Sequence, residues 1–77
     1  MKVNELDYIG DVVRRLRMSK GMSQLELAEY SSLSPKTIHL IEGNYHEPRL
    51  STLYELATAL EIDFRDLMEQ VLQQFYN

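Results

Sequence analysis

The 77-residue sequence has no cysteine, only three glycines and two prolines, and no long apolar run. Without cysteine, neither a disulfide framework nor a thiolate metal site can reinforce the fold. A membrane-spanning helix needs about 18 apolar residues in a row, and Glu5 and Asp7 interrupt the segment where a signal peptide would be hydrophobic. We therefore expect a cytoplasmic protein of one domain, residues 1–77, stabilised by apolar packing.

Basic residues are also few, since eight Lys and Arg against twelve Asp and Glu give a net charge of -4. This balance argues against a generic polybasic binder of nucleic acid or anionic lipid. The charge is unevenly distributed, however: residues 14–49 carry a net charge of +2, whereas residues 50–77 have one basic residue, Arg65, and five acidic ones. The middle of the chain can therefore face an anion, although solvated helix faces would have a similar composition.

Apolar residues recur at helical spacing, and residues that begin or end helices divide the chain into five segments. The first covers residues 8–19 and stops before Gly21. The second covers about residues 23–31, where Ser23 is the cap and Glu26, three residues later, completes a capping box. No segment alternates as a half-buried strand would.

Three further segments complete a predicted all-α fold of five helices. Ser34 caps the third helix, with Pro35 at its first helical position, and Gly43-Asn44 end it. Ser51 is predicted to cap the fourth helix and Asp63 the fifth.

The second and third helices are joined so closely that they must cross steeply, because only Ser32 and Leu33 lie between them. Ala28 is expected where the two helices approach most closely. The arrangement is a helix-turn-helix over about residues 23–42. The sequence resembles the lambda-repressor-like, Cro-type (XRE) family of helix-turn-helix transcriptional regulators over about residues 9–70. The motifs that carry the resemblance are Gly21-x-Ser23-Gln24, Leu27-Ala28, Ile38-x-x-Ile41-Glu42 and Pro48 six residues after Glu42.

The resemblance implies sequence-specific binding of double-stranded DNA by a homodimer that regulates transcription at an operator palindrome. In this family the third helix enters the major groove and its outward residues meet base edges. The base-reading residues implied here are Pro35, Lys36, Thr37, His39 and Leu40. The implied phosphate contacts, at the start of helix two and in the loop after helix three, are Ser23, Gln24, Asn44, Tyr45, His46 and Arg49. Arg17 and Glu42 match a basic–acidic pair that ties helix one to helix three.

Some of these assignments leave alternatives open. Lys36 can donate to O6 and N7 of guanine or to a phosphate, and Leu40 either contacts a thymine methyl group or packs under a neighbouring helix. Ser32 and Asn44 stand where the family usually has glycine, so both are expected in turn conformations that favour glycine. Pro35 replaces a base-reading glutamine, and readout is therefore expected to depend more on DNA shape or on the loop.

Helix five, about residues 64–76, has more apolar surface than a small domain easily covers. The predicted homodimer interface consists of Met68, Val71, Leu72, Phe75 and Tyr76. Two alternatives remain for this surface. It could hold a toxin or another regulator, which would make the chain an antitoxin or adaptor with autoregulatory DNA binding, or it could only close the chain's own core.

Catalysis has little support in the sequence. His39 and Glu42 lie one helical turn apart and His46 follows, but no third ligand has recognisable metal spacing. The serines are explained as helix caps, with no nucleophile-elbow or phosphate-loop pattern near them. We therefore expect no enzyme activity, no metal, no cofactor and no membrane partner.

Overall fold

The computed structural model describes residues 9–76, and the side chains of residues 9–73. This part of the chain contains no strand and five α-helices, which are α1 Ile9–Ser19, α2 Gln24–Ser31, α3 Pro35–Glu42, α4 Leu50–Ala59 and α5 Phe64–Tyr76. The predicted all-α fold of five helices is confirmed. Tyr8, the predicted first residue of helix one, lies outside the described residues.

Three of the four predicted caps are present. The Ser23 hydroxyl accepts the Glu26 amide at 3.0 Å while the Glu26 carboxylate accepts the Ser23 amide at 2.8 Å, which completes the capping box. The Ser34 hydroxyl accepts the Thr37 amide at 3.0 Å. The Asp63 carboxylate accepts the Arg65 amide at 2.7 Å, and the side-chain hydrogen bond from Arg65 lowers the pKa of that carboxyl.

The predicted cap at Ser51 is wrong, because α4 begins one residue before it, at Leu50. Arg49 occupies the cap position in an extended conformation, and its carbonyl accepts the Leu53 amide at 3.0 Å. No side chain caps this end. Leu53, which is buried in the core, is thus bonded to Arg49 in the first turn, and the preference of a serine for the cap does not decide where the helix starts.

The turns before and after α3 each contain one residue in the left-handed backbone conformation. Ser32, at the end of α2, has φ 65°, and Asn44, after α3, has φ 62°. A left-handed conformation costs a serine about 1–2 kcal/mol, whereas asparagine adopts it more readily. Both expected departures from glycine are therefore accommodated without a change in the fold.

All five helices contribute to a single apolar core in the described chain. The most completely buried side chains are Val13, Leu27, Ile38, Ile41, Leu56, Leu60 and Leu67. Ala28, only 4% exposed, lies in this core, as expected from its position in the helix-turn-helix. Because α3 packs against both α1 and α2 through Ile38 and Ile41, its opposite side stays at the surface.

Candidate nucleic-acid interface

The outer face of α3 carries the residues predicted to read bases. Pro35, Lys36 and His39 are exposed, and Thr37 and Leu40 are half-buried. The Thr37 hydroxyl lies 2.8 Å from that of Ser34, so its orientation is set by the helix cap. Because Ile38 and Ile41 on the inner face are buried, the five predicted residues around them are not equally accessible to a ligand.

A buried ion pair fixes α3 to α1. The Arg17 Nε atom donates to Glu42 Oε2 at 2.7 Å, and a second guanidinium nitrogen of Arg17 donates to Glu42 Oε1 at 3.0 Å. The side chains of Arg17 and Glu42 are only 12% and 2% exposed. The third guanidinium nitrogen donates to the Met22 carbonyl at 2.7 Å. The bidentate pair therefore joins α1, the turn before α2, and the end of α3.

Gln24 extends this network to the start of α2. Its side-chain amide nitrogen donates to Glu42 Oε1 at 3.1 Å. The amide oxygen and the second N–H of Gln24 are not used in this bond, so they can serve another partner. Glu42 thus orients a side chain that the sequence assigns to a phosphate contact.

The loop after α3 contains both structural and surface residues. Tyr45, His46 and Arg49 are exposed, and the Tyr45 side chain is 77% exposed. Asn44 differs, because its side-chain oxygen accepts the Gly10 amide at 2.9 Å and its nitrogen donates to the Asp11 carboxylate at 3.2 Å. The Asn44 side chain therefore holds the start of α1, and its phosphate contact stays a prediction.

Gly10 is a residue whose role the sequence analysis missed. A Cβ atom at this position would overlap the Ile41 carbonyl oxygen and lie 2.5 Å from the Asn44 side-chain oxygen. Only glycine lets α1 approach the end of α3 this closely. A glycine inside a helical segment is a sequence cue for close backbone approach, although it does not identify the neighbour.

The predicted dimer residues are divided between the core and the surface of α5. Val71 is only 4% exposed and belongs to the core, so its assignment to an interface is corrected. Met68 is half-buried and Leu72 is 44% exposed, and both line a shallow groove with charged and amide side chains of α5. The side chains of Phe75 and Tyr76 lie outside the described part of the chain.

Within residues 9–76, no three His, Asp or Glu side chains are grouped closely enough to hold a metal ion. No helix in the same range is both long and apolar enough to cross a membrane.

Comparison with known proteins decides the family. A family model described as helix-turn-helix matches residues 13–67, which is most of the chain. The chain belongs to the helix-turn-helix family. This result confirms the resemblance found in the sequence.

Two curated members of the helix-turn-helix family are similar in sequence. The HTH-type transcriptional regulator SutR of Escherichia coli K12 is 32% identical over 57 residues, which are 74% of this chain and 32% of SutR. The HTH-type transcriptional regulator y4dJ of Sinorhizobium fredii, itself uncharacterised, is 35% identical over 60 residues and 78% of each chain. The chain therefore spans about a third of the length of SutR but most of y4dJ.

Solved helix-turn-helix structures extend the comparison. The restriction-modification controller protein C.Esp1396I has a TM-score of 0.85 and 25% identity over 99% of this chain and all of its own. The controller protein C.AhdI from Aeromonas hydrophila has a TM-score of 0.76 and 37% identity over 80% of this chain and 94% of its own. C.Esp1396I has also been solved as a tetramer in complex with its natural 35-base-pair operator.

Proposed function

We propose that this chain is a sequence-specific double-stranded DNA-binding protein that regulates transcription in the cytoplasm, and that it acts as a homodimer without a catalytic role. The observation that carries the proposal is the outward face of α3, which is held against α1 and α2 by the Arg17–Glu42 pair and Gln24. The operator complex of C.Esp1396I supports it, since that protein has the same fold over nearly the whole chain.

The proposed mechanism places α3 in the major groove of an operator half-site. Lys36 and Thr37 would meet base edges near the N-terminus of α3, while Gln24 and the exposed loop residues after α3 would hold phosphates. Bound there, the protein would block or recruit RNA polymerase. The comparisons do not favour an antitoxin or adaptor.

A binding selection from random duplex DNA tests this function directly. We expect an inverted repeat whose half-sites are centred about 34 Å apart, one DNA turn, because a two-fold dimer presents paired α3 helices. Affinity should fall with salt with a log–log slope of several units. Recovery of no preferred sequence would contradict the proposal.

The Lys36→Ala variant tests whether α3 reads bases. If Lys36 donates to a guanine, the variant should lose about 1–3 kcal/mol of binding free energy and accept other bases at one position of the half-site. A uniform loss across sequences, with a smaller salt slope, would instead identify Lys36 as a phosphate contact. Lys20→Ala is the control, because it also removes an exposed cation but lies after the end of α1, outside α3 and the α5 groove.

The Leu72→Asp variant tests the proposed dimer interface on α5. Placing a charge in an apolar contact should weaken dimerisation more than about tenfold, measured as the concentration dependence of molecular mass. Leu25→Asp on α2 is the matched control, since Leu25 is 64% exposed and undergoes the same change. A wild-type monomer at tens of micromolar, or equal effects of both substitutions, would exclude this interface.

A further inference from the structure

We infer, on the basis of the proposed function, that Arg14 is an additional phosphate contact, made in a groove on the same face as α3. The groove lies between α1, the start of α2 and the end of α3, and it is lined by Arg14, Gln24, His39, Glu42 and Gly43. Neither composition nor the family motifs single out this arginine from the other basic residues of the chain.

The position of Arg14 on its helix follows from its spacing to Arg17. Residues three apart lie on the same side of an α-helix, and Arg17 reaches across to Glu42 of α3. Arg14 therefore also lies on the side of α1 that borders α3, one turn nearer the helix N-terminus. Its side chain is exposed, so it reaches the mouth of the groove rather than the core.

The charge of the groove comes chiefly from Arg14. Arg17 and Glu42 neutralise each other in their buried pair, whereas Arg14 forms no ion pair with any residue that the structure describes. The groove also opens at the start of α2, where backbone N–H groups favour an anion. The Gln24 amide, oriented by Glu42, supplies a neutral donor beside the Arg14 cation.

Arg15 provides a natural contrast to Arg14. It follows Arg14 directly in the sequence and is also exposed, but its guanidinium donates to the side-chain oxygen of Gln70 on α5 at 3.3 Å. It therefore faces a different part of the protein. We therefore expect Arg14 to contact DNA and Arg15 not to contact it, although the two residues are adjacent and have the same charge.

The experiment compares Arg14→Gln with Arg15→Gln on the duplex recovered by selection. Arg14→Gln should reduce the salt slope by about 0.9 for each protomer bound and lower the affinity about tenfold at moderate salt, while the selected base preferences stay unchanged. Arg15→Gln should leave the slope at the wild-type value. Arg14→Lys should restore the slope, because lysine keeps the charge.

Equal slopes for Arg14→Gln and Arg15→Gln would overturn the inference, and so would failure of Arg14→Lys to restore the wild-type slope. If the wild-type protein bound no duplex, the proposed function itself would fail, and the role of Arg14 with it. Thermal unfolding of each variant checks the fold, and Arg14→Ala replaces Arg14→Gln if the latter is unfolded.

Discussion

Replacing Arg17 by alanine is expected to lower the free energy of unfolding by about 3–5 kcal/mol. The substitution leaves the Glu42 carboxylate, whose side chain is 2% exposed, with only the Gln24 amide as a side-chain donor. It also removes the donor to the Met22 carbonyl, so the turn before α2 keeps only its backbone bonds to α1. Since small domains have a stability of only about 5–15 kcal/mol, much of the variant should be unfolded near physiological temperature.

Chemical denaturation of the single and double variants measures this effect. A double-mutant cycle with Arg17→Ala and Glu42→Ala should give a double variant more stable than the sum of the two single losses predicts, because the two side chains share one interaction. An apolar pair, Arg17→Met with Glu42→Leu, should recover much of the stability. A loss below about 1 kcal/mol for Arg17→Ala would show that the pair does not stabilise the fold.

The Gly10→Ala variant should lose about 2 kcal/mol of stability, the second largest effect that we expect. The added methyl group would overlap the Ile41 carbonyl oxygen and crowd the Asn44 oxygen that accepts the Gly10 amide. Such overpacking costs typically 1–3 kcal/mol. We expect a cost at the upper end of that range, and the better helix propensity of alanine offsets about 1 kcal/mol of it. The unfolding midpoint should fall by roughly 8–16 °C.

Gly43→Ala is the matched control for Gly10→Ala. Its Cβ atom would also lie 2.5 Å from a neighbour, but that neighbour is the ring of Tyr45, which is 77% exposed and free to rotate away. Gly43 has φ −84°, a conformation that alanine adopts without strain. We therefore expect a change within about 0.5 kcal/mol. Similar losses for the two variants would show that backbone contact at Gly10 is not the cause.

Local sequence patterns accounted for most of the helix boundaries. Ser23 with Glu26, and Ser34 with Pro35, specify helix starts through bonds that span at most three residues, so their caps could be predicted. Ser51 shows the limit of the same reasoning. Arg49 takes the cap position without a side-chain hydrogen bond, and α4 begins before Ser51.

The role of Asn44 could not be read from local sequence, because the bond that uses it comes from Gly10, 34 residues earlier. The sequence also predicted Val71 at a dimer interface, whereas the structure places it in the core. Its apolar character predicted burial correctly, but the sequence does not say whether the covering atoms come from the same chain or from a second copy. Hydrophobic spacing identifies a buried face and not its partner.

The sequence alone determined the five-helix order and the tight helix-turn-helix joint, since each depends on neighbours within a few positions. Only the tertiary structure decided which way Arg14 and Arg15 face. They are adjacent, equally charged and in the same helix, yet one lines the groove beside α3 and the other bonds to α5. The difference arises because successive residues of a helix point about 100° apart, and packing of α1 decides which neighbour each direction meets.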